Sequence, residues 1–316
     1  MKNNPLHGHG VGLVTPFHGS QLSLQTGSMD FPALEKMVAR MVQSPVDFLV
    51  VLGEHSERST LRQEERLQLV QFMLDVVKHP LHLFIGVGGD DPSDVEHQIQ
   101  QLVEVTQGRD PKKVISGLLL ASPVSGRFDA PGYVRHAQNV AECSPWPVVL
   151  HRRVDEPRGP SLGVDVFLQL AKDQRFLGVR LDGDDRRFTD ALLQQRPPHF
   201  RVVTACDPMA LSDLALGTDG VISAVGNALP EAWGRLVHQA LFGDFSSARE
   251  SHRLLYPLLT ALDAVPTASG VKEVLTLIGQ SNAGVRPPLS ALNGPDRQRI
   301  YDALAALPPD WNPQLR

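Results

Sequence analysis

Only two cysteines occur in 316 residues, Cys143 and Cys206, far apart and outside any Cys-x-x-Cys spacing. A disulfide framework and a structural zinc site are therefore not expected, and a reducing compartment fits best. Basic clusters are missing as well: the net charge is -5 and no run of Lys or Arg is long enough to track a phosphate backbone, which argues against nucleic-acid binding. No uninterrupted apolar stretch approaches the ~20 residues of a membrane-spanning helix, and Met1 to Gly10 is polar with no apolar signal-peptide core. The sequence thus reads as cytoplasmic, with no membrane partner. Two common catalytic turns are absent too. No Gly-x-Gly-x-x-Gly follows the first strand pattern, and no Gly-x-Ser-x-Gly surrounds Ser125. Lysine stands at only seven positions, 2, 36, 78, 112, 113, 172 and 272, all in predicted helices, loops or tails.

What is present is a repeated βα pattern. Short apolar runs rich in β-branched residues start near residues 11, 46, 81, 116, 147, 176, 200 and 219. Helical periodicity fills the intervals. Asp30 caps a helix with Phe31, Leu34, Val38, Met41 and Val42 on one face; the next, from about Leu61 to Lys78, turns Leu67, Val70, Met73, Leu74 and Val77 inward; Asp91-Pro92 opens a third with Val95, Ile99, Leu102 and Val103 inward. Asp207 reads as the N-cap of a short helix over 209–216. Eight such units, each needing roughly 30 residues, predict an α/β fold, a closed (β/α)₈ TIM barrel, for which ~250 residues is typical. An open doubly wound sheet is the competing architecture. After Leu229 the strand signal ends and helices over 230–242, 246–264, 269–278 and 296–307 follow, so the expected division is a barrel core over 1–228 and a barrel-closing helix with a C-terminal helical appendage over 229–316.

A barrel of this kind carries its site at the C-terminal ends of the strands. Those ends hold Thr15, Gly53-Glu54-His55-Ser56-Glu57, Gly88-Gly89, Ser122 to Ser125, His151-Arg152-Arg153, Arg180-Leu181-Asp182, Asp207 and Ser223 to Asn227. The set is rich in Arg, His and carboxylate and contains no lysine. Arg180 closes the sixth run, Phe176 to Leu181; a guanidinium there is costly to bury unless an anion pairs with it, so an internal carboxylate or an anionic ligand should lie opposite.

Several segments carry a family likeness in register. Gly12-Leu-Val-Thr-Pro-Phe17, the loop Gly53-Glu-His-Ser-Glu-Arg-Ser-Thr-Leu61, the run Asp219-Gly-Val-Ile-Ser-Ala-Val-Gly-Asn227, and Gly243 to Arg249 with Val271-Lys272-Glu273 resemble the dihydrodipicolinate synthase / N-acetylneuraminate lyase family of class I aldolases and lyases over essentially the whole chain. The resemblance implies a barrel fold, no cofactor, a small 2-oxo acid as ligand and a homodimer or homotetramer. It also implies a Schiff base between a lysine at the end of strand six and the keto carbon of pyruvate, which needs an amine that can lose its proton. The matching position is Arg180, whose guanidinium stays protonated and cannot be that nucleophile. The family's paired threonines correspond to Glu54 and His55 after Gly53, its proton-relaying tyrosine to Ser125 or Val124, its carboxylate-binding arginine to Arg158 with Arg152 and Arg153 near, and its pyruvate-contacting isoleucine to Ile222.

The candidate catalytic set is therefore Arg180, Ser125, His55 and Glu54, and the candidate substrate-binding set Arg158, Arg153, Ile222 and Gly53. No metal is assigned, although His151 with Asp207 and Glu54 offers ligand types for a divalent ion in a metal-dependent aldolase. Arg180 reads either as a structural ion pair with Glu54 or Asp182 or as an anion-binding group. The chain reads either as a lyase-family protein binding a small 2-oxo acid without Schiff-base catalysis, or as a non-catalytic barrel acting as metabolite-binding or partner subunit.

Overall fold

The structure is a computed structural model describing residues 4–19, 27–77, 81–123, 128–153, 162–183 and 185–311. In chain order it contains β1 (Gly8–Gly12), α1 (Phe31–Val42), β2 (Phe48–Val51), α2 (Gln63–Val76), β3 (His82–Val87), α3 (Pro92–Val105), the short α4 (Pro111–Val114), β4 (Gly117–Leu120), α5 (Ala130–Cys143), β5 (Val148–Arg152), α6 (Val164–Leu170), β6 (Phe176–Leu181), α7 (Arg186–Gln195), β7 (Arg201–Thr204), α8 (Ala210–Leu216), β8 (Gly220–Ser223), α9 (Pro230–Leu241), α10 (Phe245–Asp263), α11 (Thr267–Leu277) and α12 (Gly294–Ala305). All eight strands are parallel, and β1 pairs with both β2 and β8, so the sheet closes into a (β/α)₈ barrel. Among the described residues no helix is long and apolar enough to cross a membrane.

Side-chain alternation sorts the strands' residues into two cores. Phe48, Val50, Phe84, Leu119, Val149, Val203 and Ile222 fill the barrel interior with Leu6 beneath them. Phe48 and Phe84 meet edge to face at 5.5 Å, and the bulk of Phe48 is admitted by Gly10, where any Cβ would lie 2.1 Å from its ring. The opposite strand faces, with Leu49, Val51, Ile85, Leu118, Leu150 and Val179, pack against the helices in one continuous cluster that includes Leu255, Leu258, Val274 and Leu275 of the C-terminal helices. The caps behave as their side chains dictate: Asp30 accepts from Ala33 N at 2.9 Å and Asp91 from Ser93 N at 2.9 Å.

Four expectations fail in detail. The first strand lies at Gly8–Gly12 rather than starting near residue 11, because its pairing partners are set by glycines that admit Phe48, not by its own hydrophobicity. Val42 and Val103 are 43% and 39% exposed, and α2 buries Leu69 where Leu67 was expected, so both edges of the apolar stripe are narrower than the sequence suggests. The helix α4 has no sequence counterpart above. Asp207 caps no helix of its own: α8 has no side-chain cap, and the Asp207 carboxylate instead accepts from Ala224 N and Val225 N, both at 3.2 Å, at the turn after β8.

Candidate functional site

The mouth of the barrel is built from strands β5 and β6 and the loop after β2. On β5 the inward alternation from Val149 carries on to His151 and Arg153, and on β6 from Gly178 to Arg180 and Asp182, while His151 and Arg180 are register partners. Arg180 is 2% exposed, with Nη2 3.0 Å from Asp182 Oδ1 and 3.2 Å from Glu54 Oε2. Asp182 uses its other oxygen, Oδ2, at 2.5 Å from His151 Nε2. Burial pushes the Asp182 carboxyl up, but Arg180 and then His151 more than reverse this and hold it well below the usual carboxylate range. Arg153 Nη2 stands 3.6 Å from Glu54 Oε1, so Glu54 joins the two arginines. Ser122 Oγ donates to the His151 carbonyl at 2.6 Å and fixes the strand end behind the imidazole.

His55 enters from the loop after β2. Leu52 and Glu57 on either side of this turn both hold positive φ, 57° and 54°, an uncommon conformation for side chains of their size. The imidazole lies against Gly12, where a Cβ would stand 2.4 Å from its Nδ1. Burial, then the charge of Arg180, lower its pKa to about 4, so it is neutral near pH 7. Below the turn, Glu57 is anchored by Lys272 of α11 and by the Arg286 backbone N–H at 2.9 Å. Lys272 is fully buried and also donates to the Gly284 carbonyl at 2.8 Å. Arg286 grips Glu65 of α2 with two bonds of 2.9 and 2.7 Å, and both cations lie over the Phe17 ring at 4.2 and 4.4 Å. The loop is thereby fixed to α2 and to the C-terminal helices.

A cavity of about 270 Å³ opens at this mouth, bordered by Gly53, Glu54, Arg58, Ser122, His151 and Arg153. Among the described residues no lysine borders it. Of the candidate residues, Glu54, Gly53 and Arg153 border the cavity and Arg180 and His55 support it, whereas Ile222 is 2% exposed in the barrel-interior core. Ser125 and Arg158 lie outside the described residues. Arg152 turns outward, donating to Asp185 Oδ2 at 2.9 Å and stacking 3.6 Å over Phe188, so it braces α7. Sequence reasoning assigned no role to Arg58 and weighed His151 only as a metal ligand; the spacing of two in His151-x-Arg153 and Arg180-x-Asp182 was the available signal that each pair shares a face.

Glu54, His151 and Asp182 offer ligand atoms within 4.8 Å of one another, a spacing that suits a divalent cation. The charges do not. Arg180 and Arg153 already neutralise the two carboxylates, and a divalent ion would have to face a buried guanidinium at close range. The same arrangement favours an anion. Asp207, on the adjoining strand end, keeps a buried Oδ1 without a hydrogen-bond partner among the described residues, and burial raises its pKa to about 6 against the backbone N–H groups of Val225 and Ala224 and the Ser223 hydroxyl.

The sequence profile of the dihydrodipicolinate synthetase family matches residues 6–307. The chain belongs to that family. The 4-hydroxy-tetrahydrodipicolinate synthase of Flavobacterium psychrophilum is 31% identical over 290 residues, covering 90% of this chain and 93% of that one. The enzyme of the same name from Azobacteroides pseudotrichonymphae is 28% identical over 305 residues, covering 96% and 98%. Dihydrodipicolinate synthase from Aquifex aeolicus shares the fold, with a TM-score of 0.87 at 24% identity over 98% of this chain and all 100% of that one. In this dihydrodipicolinate synthetase family barrel, the strand-six end that the resemblance assigns to an amine holds a guanidinium enclosed by two carboxylates.

Proposed function

We propose that this barrel binds a small 2-oxo acid or a related anion at its mouth and does not use Schiff-base catalysis. The observation that carries the reading is the buried Arg180 at the end of β6: it supplies fixed positive charge where the family's chemistry requires a deprotonated amine. Its Nε is buried and without a hydrogen-bond partner among the described residues, a donor that a ligand oxygen would satisfy. Arg153, with a side chain 38% exposed beside the cavity, offers a second cation whose 3.6 Å contact with Glu54 is loose enough to be exchanged for a ligand carboxylate. In turnover, Arg180 would stabilise developing enolate charge, with neutral His55 or Glu54 moving a proton.

A second reading, a non-catalytic metabolite-binding or partner subunit, is favoured by the two carboxylates that already satisfy much of Arg180. Calorimetric titration with pyruvate, combined with borohydride trapping and intact-mass measurement, separates these. Binding that weakens in Arg153→Gln, with no covalent adduct, supports the first reading. A borohydride-stable pyruvate adduct would overturn the loss of Schiff-base chemistry, and absence of binding in the wild type would shift the assignment to a partner role. We also place the protein in the cytoplasm, in keeping with its two free cysteines, and propose a homodimer or homotetramer, to which the 86% exposed Phe242 lends support as a side chain that a subunit contact would cover.

A further inference from the structure

The mouth cavity does not end at the barrel. It continues into a larger one of about 510 Å³ between α2 and α3, and the two share Leu52, Arg58, Ser59, Gly86, Val87 and Gly89 as common walls. Arg58 stands at the junction. Its Nη2 donates to the Gly88 carbonyl and to Gln98 Oε1, both at 2.6 Å, and its Nε is buried without a partner among the described residues. Arg66, one turn along α2, lines the larger cavity and donates from Nε to the Leu61 carbonyl at 3.0 Å. The described bonds of both arginines thus go to neutral oxygens. Burial lowers the pKa of Arg58 to about 10, with Arg66 adding repulsion, and burial lowers that of Arg66 as well. Among the described residues Asp94 is the single carboxylate on the walls of this cavity, and it forms no described ion pair with either arginine. Two partly buried guanidinium groups that repel each other and meet no carboxylate form a site with unmatched positive charge, which an anion would complete. Apart from Arg58 and Ser59, the shared walls are the apolar side chains of Leu52 and Val87 and the backbone of Gly86 and Gly89, which suits a methylene chain.

We propose that the ligand of this barrel is an elongated acid with two anionic ends, the first held at Arg153 and Arg180 and the second at Arg58 and Arg66. The inference rests on the anion-binding reading of the mouth given above and extends it to a substrate class: a 2-oxo acid bearing a distal carboxylate or phosphate rather than a short mono-acid. The distal group replaces the missing carboxylate partner of Arg58 and Arg66, and the chain crosses the glycine-lined junction.

The test is calorimetric titration of the full-length protein with pyruvate, 2-oxoglutarate, 2-oxoadipate and 2-oxopimelate, and with a 2-oxo acid carrying a terminal phosphonate. Affinity should rise about tenfold or more over pyruvate once the chain is long enough to reach Arg58, the gain of one charge-assisted contact. In Arg66→Gln the ratio of the pyruvate Kd to the diacid Kd should fall towards one. Tighter binding of the phosphonate than of the matched diacid assigns the distal group as phosphate, and the reverse order as carboxylate. Pyruvate binding with no chain-length gain in the wild type overturns this inference while leaving the mouth assignment standing; a gain that survives Arg66→Gln in a variant melting like the wild type also overturns it. Failure of every acid to bind removes both. The wild-type series stands on its own if Arg58→Gln, which loses the Gly88 and Gln98 bonds, does not fold.

Discussion

Replacing Lys272 by Met tests what holds the mouth loop in place. The amine is fully buried, and removing it leaves Glu57, 4% exposed, with only the Arg286 N–H at 2.9 Å among the described hydrogen bonds to its carboxylate. Methionine nearly matches the lysine stem in volume, so packing against Phe17 survives and the loss is electrostatic. Removing one partner of a buried ion pair typically costs about 3–5 kcal/mol. At about 2 °C per kcal/mol for a chain of this size, the melting temperature should fall by about 6–10 °C. Glu57→Gln combined with Lys272→Met removes both charges of this pair and leaves the Arg286–Glu65 pair intact, and the double variant should recover at least half of that loss, since a neutral pair of similar shape is tolerated far better than one orphaned carboxylate. Thermal melts followed by circular dichroism on the wild type, both single variants and the double variant read this directly. A single Lys272→Met variant that melts within 2 °C of the wild type, or a double variant no better than the sum of the singles, would refute the view that this pair anchors the loop.

Asp207 has a folded pKa raised to about 6 from 3.8, so the folded state binds the extra proton between those values and its contribution to stability falls as pH rises through them; Asp207→Asn should therefore raise the melting temperature at pH 8 relative to wild type and not at pH 3.5, and an equal effect at both pH values would sink the assignment. His55 shows the opposite sense. Its folded pKa of about 4 against 6.5 means that the unfolded chain takes up the proton first, so stability declines as pH falls from 6.5 to 4; NMR titration should find its imidazole neutral down to pH 5, and protonation near pH 6.5 would contradict the buried placement. Gly12→Ala, with a Cβ placed 2.4 Å from His55 Nδ1, should destabilise the protein by about 1–3 kcal/mol in urea titration. Arg180→Lys should give no borohydride-trapped pyruvate adduct, because the new amine would sit between the Glu54 and Asp182 carboxylates that keep it protonated; a trapped adduct in this single variant would show that the residue alone had been lost.

The alternating βα pattern was legible because it rests on local periodicity: the strands from β2 onward fall where the apolar runs place them. β1 was misplaced because glycine carries no hydrophobic signal; its role is to leave space for Phe48 and His55, side chains distant in sequence. At the site, Arg180, Glu54, His55, Gly53 and Arg153 gather as the strand ends suggested, and the Arg180 partners named in the sequence, Glu54 and Asp182, are both present. Ile222 belongs instead to the interior core, since an inward position on a barrel strand does not specify how high it stands. The charge pairs Glu57–Lys272 and Glu65–Arg286 were invisible because nothing local links residues more than 200 positions apart.

That separation has a consequence in time. Glu57 is followed by its ammonium partner only after 215 further residues, and Glu65 waits 221 for Arg286. At a synthesis rate of about 5–20 residues per second, the interval on the ribosome is about 10–40 s. Throughout it, Glu57 has no described cation to meet and Glu65 has only the exposed Arg62 at 3.5 Å, so the turn after β2 stays hydrated and open while the first strands emerge. The oldest part of the mouth to be made is the last to be set, and a chain released before α11 has every strand of the barrel but lacks the clasp that shapes its ligand loop.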